Sequence, residues 1–443
     1  MKKILISICM AVLLILSGCN GNTECADTAA EIITIEEHQQ TDDGYTYAVM
    51  SQGDEIYVKL LQYTGSEENI VIPSEIGGYP VKEIYMIAFK NNNTVKSVVI
   101  PSSVKTIMGG SFSGCSKLES VTLTEGADSI YIDYDCFENT PWFDKLCAEN
   151  DIVIVGDILL KATNVDGNYS IPKNVRHIGG WAFKNCDNLT SVEFHDEVRT
   201  INAGAFSFCD NLTSVTLPEN LNSLDSFVFS NCPSLEKIDI PNSVVQIGNG
   251  VFSECKSLKE INIPESVIVT GEDAFENTPW LQANREKSSL VVVNDILVDG
   301  FTANGDVIIP DGVKIICSSA FQKNEEMTSV TIPDSVSEIK EKAFYRCKNL
   351  KTVTMNSSLK IIEDYAFFNC DKLEKIVLPE SINKIGLPAF SDCSDSIQII
   401  VPDNLDIATL NGTFDSNSNN TSITAHHKGD IYIYTNKVFI KAQ

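Results

Sequence analysis

The sequence predicts an α/β solenoid, in which short strands and short helical turns repeat and the strands of successive turns form a parallel β-sheet. Phenylalanine recurs mainly at every twenty-third position, with two steps of twice that length. The pattern Leu-x-x-Val-x-Ile-Pro returns between these phenylalanines and is typical of a short strand ended by proline. With the skipped positions at Leu160 and Val298 counted, the array has about fourteen turns. The periodic residues are Phe89, Phe112, Phe137, Phe183, Phe206, Phe229, Phe252, Phe275, Phe321, Phe344, Phe367 and Phe390.

Each recurring position has a physical role. Residues two apart on a strand share a face, so Val215 and Leu217 are expected to pack inward while Thr216 faces outward. A second apolar pair, as in Val244 and Ile247, begins the return leg of the turn. The Ala-Phe pair then places a ring in the interior from a short helical turn. Because one turn cannot bury its apolar edge alone, neighbouring turns must stack.

The full unit, AFxxCxxLxxVxIPxxVxxIG, resembles the repeat of the BspA-type leucine-rich repeat family over roughly Tyr45 to Pro402. This resemblance implies a right-handed leucine-rich-repeat solenoid, with an N-terminal cap over residues 45–80 and repeats over residues 81–402. It also implies a role in adhesion at the cell surface. Ser243 and Ser266 stand in the column where leucine-rich repeats usually carry asparagine.

The period is interrupted near residues 138–172 and 276–310. Asn139-Thr140-Pro141-Trp142 in the first interruption returns as Asn277-Thr278-Pro279-Trp280 in the second, six periods later. A six-turn block has therefore been duplicated. Trp142 and Trp280 are expected to fill the core, and they would become binding residues if they were exposed.

The first residues resemble a bacterial targeting segment. Lys2 and Lys3 precede an apolar run, and Leu16-Ser17-Gly18-Cys19 resembles the lipobox in which cysteine is acylated. We expect residues 1–18 to be a lipoprotein signal peptide and Cys19 to anchor the chain outside the cell, on the bacterial cell membrane. The alternative is an ordinary signal peptide cut near Gly18 without lipid. Residues 19–44 are polar and acidic, which predicts a flexible tether.

The period fails after Pro402, so residues 403–443 are predicted to form a C-terminal loop and cap. The segment from Asn411 to Thr424 is polar and of low complexity, which favours a loop. The segment from Asp430 to Lys441 alternates in polarity, which predicts a hairpin that covers the final turn.

Charge and residue types argue against several classes of function. The formal net charge of -27 disfavours binding to nucleic acid and to anionic headgroups, so the lipid is expected to be the sole membrane attachment. The chain has no C-x-x-C motif, no glycine-rich phosphate loop and no hydroxyl-histidine-carboxylate arrangement. The sequence therefore predicts no enzyme activity, no metal site and no cofactor. The His426-His427 pair is interpreted as part of a solvated tail.

Eight cysteines each follow a periodic phenylalanine by three positions. Because they share one inward column, forming disulfides would turn neighbouring side chains against the packing, and buried free thiols are predicted instead. These residues are Cys115, Cys186, Cys209, Cys232, Cys255, Cys347, Cys370 and Cys393.

The outward strand positions carry small hydroxyls and charges with few aromatic residues, which favours an extended contact with a large partner over a small-molecule pocket. We predict that a monomer binds an extracellular protein or glycan of a host or neighbouring cell through these positions. The alternatives are a structural or assembly role in the bacterial envelope and a hydrolase. The candidate residues are Ser120, Thr122, Ser191, Glu193, Ser214, Thr216, Lys237, Asp239, Glu260, Asn262, Ser329, Thr331, Thr352, Thr354 and Lys375.

Overall fold

The computed structural model describes residues 32–124, 130–133, 135–394, 397–410, 413, 424–435 and 438–442. The chain divides into two compact units. Unit 1 comprises Met1–Tyr131 and Asp135–Phe143, and unit 2 comprises Ile132–Tyr134 and Asp144–Gln443. The described residues form a parallel-sheet solenoid of about 15 turns with few short helices, which confirms the fold class. The right-handed sense of the solenoid stays a prediction.

Unit 1 begins with a strand where the sequence predicts a flexible tether. Strand β1 (Ile32–Gln40) pairs antiparallel with β2 (Tyr45–Gln52), which pairs antiparallel with β3 (Glu55–Tyr63). The tether predicted over residues 19–44 is therefore wrong from Ile32 onward. Its Ile-Ile-Thr-Ile run suits a strand, and β2 offers an edge with which it pairs. Residues 19–31 lie outside the described part of the chain.

The remaining strands of unit 1 open two parallel sheets. Their bounds are β4 (Asn69–Val71), β5 (Glu75–Ile76), β6 (Tyr79–Ile84), β7 (Ser97–Ile100), β8 (Thr106–Ile107), β9 (Ser120–Leu123) and, at the unit boundary, β10 (Tyr131–Ile132). Strands β3, β6 and β8 pair in that order in one sheet, and β4, β7 and β9 pair in the other. Unit 2 contains sheets of the same two kinds.

The duplicated region contains two short helices, α1 (Pro141–Glu149) and α2 (Pro279–Lys287). We call residues 139–276 the first block and residues 277–414 the second block. The strands after α1 are β11 (Ile152–Val155), β12 (Ile158–Ala162), β13 (Gly167–Ser170), β14 (His177–Ile178), β15 (Leu189–Glu193), β16 (Thr200–Ile201), β17 (Ser214–Thr216), β18 (Ser223–Leu224), β19 (Lys237–Asp239), β20 (Gln246–Ile247), β21 (Glu260–Asn262) and β22 (Val269–Thr270).

The second block repeats the first eleven of these strands after α2 and has a 3-10 turn at the position of the twelfth, and three further strands follow it. The strands are β23 (Val291–Val293), β24 (Ile296–Asp299), β25 (Gly305–Ile308), β26 (Ile315–Ile316), β27 (Met327–Thr331), β28 (Glu338–Ile339), β29 (Thr352–Thr354), β30 (Ile361–Ile362), β31 (Lys375–Val377), β32 (Lys384–Ile385), β33 (Gln398–Ile400), β34 (Thr424–His427), β35 (Asp430–Thr435) and β36 (Val438–Lys441), with a 3-10 turn at Ile407–Leu410.

A regular turn contributes to two parallel ladders. The Leu-x-x-Val-x-Ile segments form the longer strands, and each residue pairs with the equivalent residue of the next turn, as in Val330 with Val353. The second apolar pair, expected only to begin a return leg, forms a two-residue strand that also pairs in parallel, as in Ile316 with Ile339. Where the ladders are continuous, their hydrogen bonds tie a turn to its neighbour on two sides, and the apolar residues point between the sheets. Both ladders are interrupted between β16 and β18 and between β17 and β19.

The periodic phenylalanines stack in the interior, as the sequence predicts. Adjacent rings are nearly parallel, with centroids 4.9 Å apart for Phe344 and Phe367 and 6.0 Å apart for Phe229 and Phe252. We call the short segment centred on each of these phenylalanines, with two neighbours on either side, a Phe turn. The Phe turns are also bonded to each other, since the amide of Phe344 donates to the carbonyl of Ala366 at 2.8 Å. This hydrogen bond adds a third line of contact between turns.

The cysteine column consists of free thiols, as predicted, and each thiol has a partner that periodicity does not reveal. The thiol of Cys255 donates to the carbonyl oxygen of Phe229 in the preceding turn at 3.0 Å, and that of Cys347 donates to Phe321 at the same distance. Burial raises the pKa of Cys347 to about 12. Seven of the eight thiols thus satisfy the carbonyl of a periodic phenylalanine while they fill the core, and Cys186 donates to Ala162 instead.

The two interruptions are built by helices that begin in the same way. Thr278 accepts a hydrogen bond from the amide of Leu281 at 3.1 Å and donates to the carbonyl of Phe275 at 2.7 Å. Trp280, in the first turn of α2, then packs against the Phe275 ring with centroids 4.8 Å apart. The helix thus closes the phenylalanine stack where a Phe turn is missing.

The C-terminal strands extend the sheet of longer strands. Strand β34 pairs in parallel with β33, and β34, β35 and β36 pair antiparallel in that order. The hairpin predicted from Asp430 to Lys441 corresponds to β35 and β36. The loop predicted from Asn411 to Thr424 lies outside the described residues except at residues 413 and 424.

Candidate functional site

The fifteen residues predicted to face outward do so on the longer strands. Thirteen of them are exposed, and Ser191 and Ser329 are half-buried. The residues between them, such as Val192 and Val330, are 1% exposed and line the core. Within each unit, alternation along the strand therefore places the candidate residues on one surface, which we call the strand face of that unit.

The strand face of unit 2 consists of two rows, because each longer strand contributes two outward residues. In the first row each residue of the first block has a similar partner at the equivalent position of the second block. The first row contains Asn168, Ser191, Ser214, Lys237 and Glu260 in the first block and Asp306, Ser329, Thr352, Lys375 and Gln398 in the second.

Side chains of the first row bond to one another at the start of each block. The hydroxyl of Ser191 donates to Asn168 Oδ1 at 2.9 Å, and that of Ser329 donates to Asp306 Oδ1 at 2.6 Å. The hydrogen bonds from Ser329 and then Thr328 hold the pKa of Asp306 below its ordinary value. These bonds fix a polar margin along the face.

The second row differs between the blocks. It contains Ser170, Glu193, Thr216, Asp239 and Asn262 in the first block and Ile308, Thr331, Thr354, Val377 and Ile400 in the second. Ile308 is 73% exposed and Val377 is 49% exposed. The first block is thus polar and acidic in this row, while the second presents apolar side chains and threonine methyls. We call the second row of the second block the apolar strip.

Sequence reasoning did not include Ile308, Val377 or Ile400 among the candidate residues. They are revealed when the two blocks are aligned six periods apart, because Ile308 then aligns with Ser170 and Val377 with Asp239. Cys19, the predicted lipid site, lies outside the described residues. Trp142 and Trp280 are half-buried against periodic phenylalanines, which is the core role expected for them.

The described part of the chain shows neither a metal-binding group nor a membrane-spanning helix. It contains no group of three or more histidine, cysteine or acidic side chains that could hold a metal ion. It also contains no helix that is long and apolar enough to cross a membrane. His426 is half-buried and His427 is buried on β34, so the pair does not belong to a solvated tail. The absence of enzyme activity and of a cofactor stays a prediction.

Three solved structures are similar over most of the chain. A leucine rich cell surface protein from Faecalibacterium prausnitzii A2-165 is 25% identical, with 88% of this chain and 94% of that chain covered and a TM-score of 0.36. A leucine-rich repeat protein from Bacteroides ovatus is 22% identical, with coverages of 87% and 99% and a TM-score of 0.29. The pneumococcal vaccine antigen PcpA is 19% identical, with coverages of 89% and 88% and a TM-score of 0.31.

A comparison with curated protein sequences gives no match. The family model of the BspA type leucine rich repeat region matches in six copies over residues 82–200, 177–295 and 302–435. These ranges cover well over half of the chain and extend past residue 402, where the visible period ends. The chain therefore belongs to the BspA-type leucine-rich repeat family.

Proposed function

We propose that this protein is a cell-surface lipoprotein that binds an extracellular protein through the strand face of its second block. The apolar strip is the observation that carries the proposal. Ile308 on β25, at one end of its sheet, and Val377 on the inner strand β31 keep apolar area in water, which a partner surface would remove. Since the duplicated first block folds with Ser170 and Asp239 in the same places, the fold does not require apolar residues there.

The arrangement of the two rows favours a protein partner. Protein interfaces combine an apolar centre with a polar margin, and the apolar strip runs beside the polar first row of Asp306, Ser329, Thr352, Lys375 and Gln398. Aligned parallel strands offer a broad sheet and no enclosed pocket, which suits a large partner more than a small molecule. The net charge of -27 would steer a basic partner toward the protein.

Binding is tested by giving the strip the residues of the first block. The double variant Ile308→Ser and Val377→Asp of the full chain should lose an extracellular protein that the wild type retains. The matched control, Asp239→Asn in the first block, should keep it. The full chain is immobilised and incubated with a panel of purified extracellular matrix proteins and, separately, with bacterial envelope extract. Retention from the envelope extract alone supports the structural role, and unchanged retention by the double variant contradicts the proposal.

Attachment to the membrane has its own test, which is Cys19→Ala. The variant should move from the membrane fraction to the soluble fraction, because the acyl chains are the proposed anchor. Metabolic labelling with a fatty acid should mark the wild type and leave the variant unlabelled. Equal amounts of both proteins in the membrane fraction would contradict a lipid anchor at this residue.

A further inference from the structure

The second interruption leaves a cavity on the side of the Phe turns. In a regular turn the two-residue strand β26 ends at Ile316 and β27 begins at Met327, with the Phe turn of Phe321 between them. In the interrupted turn β24 ends at Asp299 and β25 begins at Gly305, which leaves no room for a Phe turn. A cavity of about 300 Å³ lies where that turn would be, and we call it the notch.

The notch lies between two Phe turns. Asp273 and Glu276 line one wall, and Ser319 and Lys323 line the other. The apolar lining includes Phe275, Leu281 and Val298, which are 2%, 4% and 9% exposed. The cavity volume lies at the lower end of the range of roughly 300 to 1,000 Å³ for small-molecule sites.

Arg285 of α2 is held inside the notch by acidic neighbours. Its Nε and one terminal nitrogen donate to the two carboxylate oxygens of Asp299 at 2.9 and 2.6 Å, and the same terminal nitrogen lies 3.4 Å from Glu276. Burial raises the pKa of Glu276 above its ordinary value, and Arg285 opposes this change. These three groups are thus occupied with one another.

A second set of contacts fixes the distance between the walls. Glu272, beside Asp273, accepts a hydrogen bond from Gln322 at 3.0 Å and pairs with Lys342 at 2.7 Å. Both partners belong to the Phe turns beyond the notch, so these bonds bridge the gap left by the missing turn. A ligand would therefore find the two walls already spaced, which lowers the cost of binding.

Three polar groups of the notch make no direct hydrogen bond or ion pair with the described residues. The Asp273 carboxylate on one wall and the Lys323 ammonium on the other form no hydrogen bond or ion pair, and the buried hydroxyl of Ser319 has no hydrogen-bond partner. Burial raises the pKa of Asp273 and Glu272 adds to this change, while Lys323 across the notch opposes it, although the Asp273 side chain is exposed. A ligand that carries both charges and an apolar group would match all three features.

We propose that the notch binds a free α-amino acid with an apolar side chain. The ligand ammonium pairs with Asp273, its carboxylate pairs with Lys323 and accepts a hydrogen bond from Ser319, and its side chain enters the cavity beside Leu281 and Val298. The strand face takes no part in this site, so the inference is independent of the proposed protein partner.

The first interruption supplies a matched control, which lies six periods before the notch. Asp135 stands at the position of Asp273 and has a similar positive φ, 56° against 53°, but Asn185 replaces Lys323 and Trp181 replaces Ser319. Asp135→Asn therefore removes the same carboxylate from an interruption that lacks the opposing ammonium.

The test is isothermal titration of the full chain with each apolar L-amino acid from leucine to phenylalanine, and with its N-acetyl and amide derivatives. We expect saturable binding of at least one amino acid at one site per chain. Affinity should fall at least tenfold in Asp273→Asn and in Lys323→Gln, since each change removes a charge-assisted hydrogen bond worth about that factor. Asp135→Asn should bind as the wild type does.

The N-acetyl and amide derivatives test whether both charges of the ligand are needed. Each derivative, which lacks one of the two charges, should bind at least tenfold more weakly. The circular dichroism spectra of all variants should match the wild type. Absence of heat with every amino acid at about 10 mM, or an unchanged affinity in Asp273→Asn, would overturn the proposal.

Discussion

The first and second blocks share a scaffold and differ in the residues that they present. Both helices begin at a buried threonine, since Thr140 donates to Phe137 at 2.7 Å just as Thr278 donates to Phe275. Both blocks place hydroxyls and a lysine along the first row of the strand face. The second row is polar in one block and apolar in the other. Interior contacts therefore fix the backbone, while the exposed positions are free to acquire different partners.

The interiors of the two interruptions also differ in charge. The Arg285-Asp299 pair of the second block is replaced by Cys147 and Lys161 in the first. Burial raises the pKa of Cys147, and Lys161 opposes this change. Helix α2 is thus joined to β24 by an ion pair, whereas α1 has a half-buried thiol at the same position. A structural role for the ion pair can be measured by breaking it in one block only.

The largest effect is expected from Arg285→Met. The change leaves the Asp299 carboxylate, 11% exposed, without its cation, and should lower the free energy of unfolding by about 3 kcal/mol. Cys147→Met at the matching position should lower it by less than about 1 kcal/mol. Urea denaturation followed by circular dichroism measures both. Adding Asp299→Leu to Arg285→Met should restore most of the loss, and a loss below about 1 kcal/mol in the single variant would contradict a structural role.

A smaller effect is expected from the two tryptophans that close the phenylalanine stacks. Trp280→Ala should cost about 2 kcal/mol, because a half-buried ring that packs on Phe275 is lost. Trp142→Ala, which removes the ring 4.9 Å from Phe137, should cost a similar amount. Hydrogen exchange should rise first in the helix that contains the change. Equal exchange in both helices of either variant would show that the interruptions do not stabilise their own surroundings.

The threonines at the helix starts are expected to contribute less. Thr278→Ala should lower the free energy of unfolding by about 1 kcal/mol, since it removes the hydrogen bond to the amide of Leu281. Thr140→Ala should match it, because Thr140 accepts from the amide of Phe143 at 3.2 Å. Urea midpoints compare the two variants. Serine in either place serves as the control, because it keeps the hydroxyl, and a serine variant as unstable as alanine would refute the capping role.

The smallest effect concerns pH. His177 of β14 is matched by Ile315 in the second block, and burial lowers the pKa of His177 while Asp157 opposes the shift and Arg199 and Arg176 add to it. A folded state that binds fewer protons than the unfolded chain loses stability as pH falls below about 6.5. His177→Ile should remove this loss between about pH 7.5 and 5.5, as measured by the urea midpoint. An unchanged pH dependence in the variant would assign the loss to other groups.

The repeat made much of the fold predictable. Twelve periodic phenylalanines and eight matching cysteines recur at equivalent interior positions, so the phenylalanine stack and the free thiols could be predicted from the sequence. The ladder of two-residue strands was not predictable, because such strands are too short for an alternating pattern to be seen. Strand β1 was missed for a related reason, since it belongs to no repeat and depends on the edge of β2.

The positions of the candidate site could be predicted from the sequence, but the apolar character of its second row in the second block was not predicted. Alternation along each strand identifies the outward residues, but the apolar strip is visible only when the two blocks are aligned with each other, six periods apart. The doubled step from Phe275 to Phe321 marks the missing Phe turn, but the cavity and the side chains that line it do not follow from that spacing. Arg285 lies in α2 and Asp299 lies in β24, with β23 between them in the sequence, and only the fold brings them together.

The hydrogen bonds from cysteine thiols to phenylalanine carbonyls affect how readily these cysteines react with oxidants. Thiolate is the form that reacts with oxidants, alkylating agents and disulfides, and the raised pKa of Cys347 keeps it almost absent at neutral pH. Each of these sulfurs becomes reactive only when its turn separates from the one before it. Mild alkylation followed by mass spectrometry would therefore record, turn by turn, where the array opens.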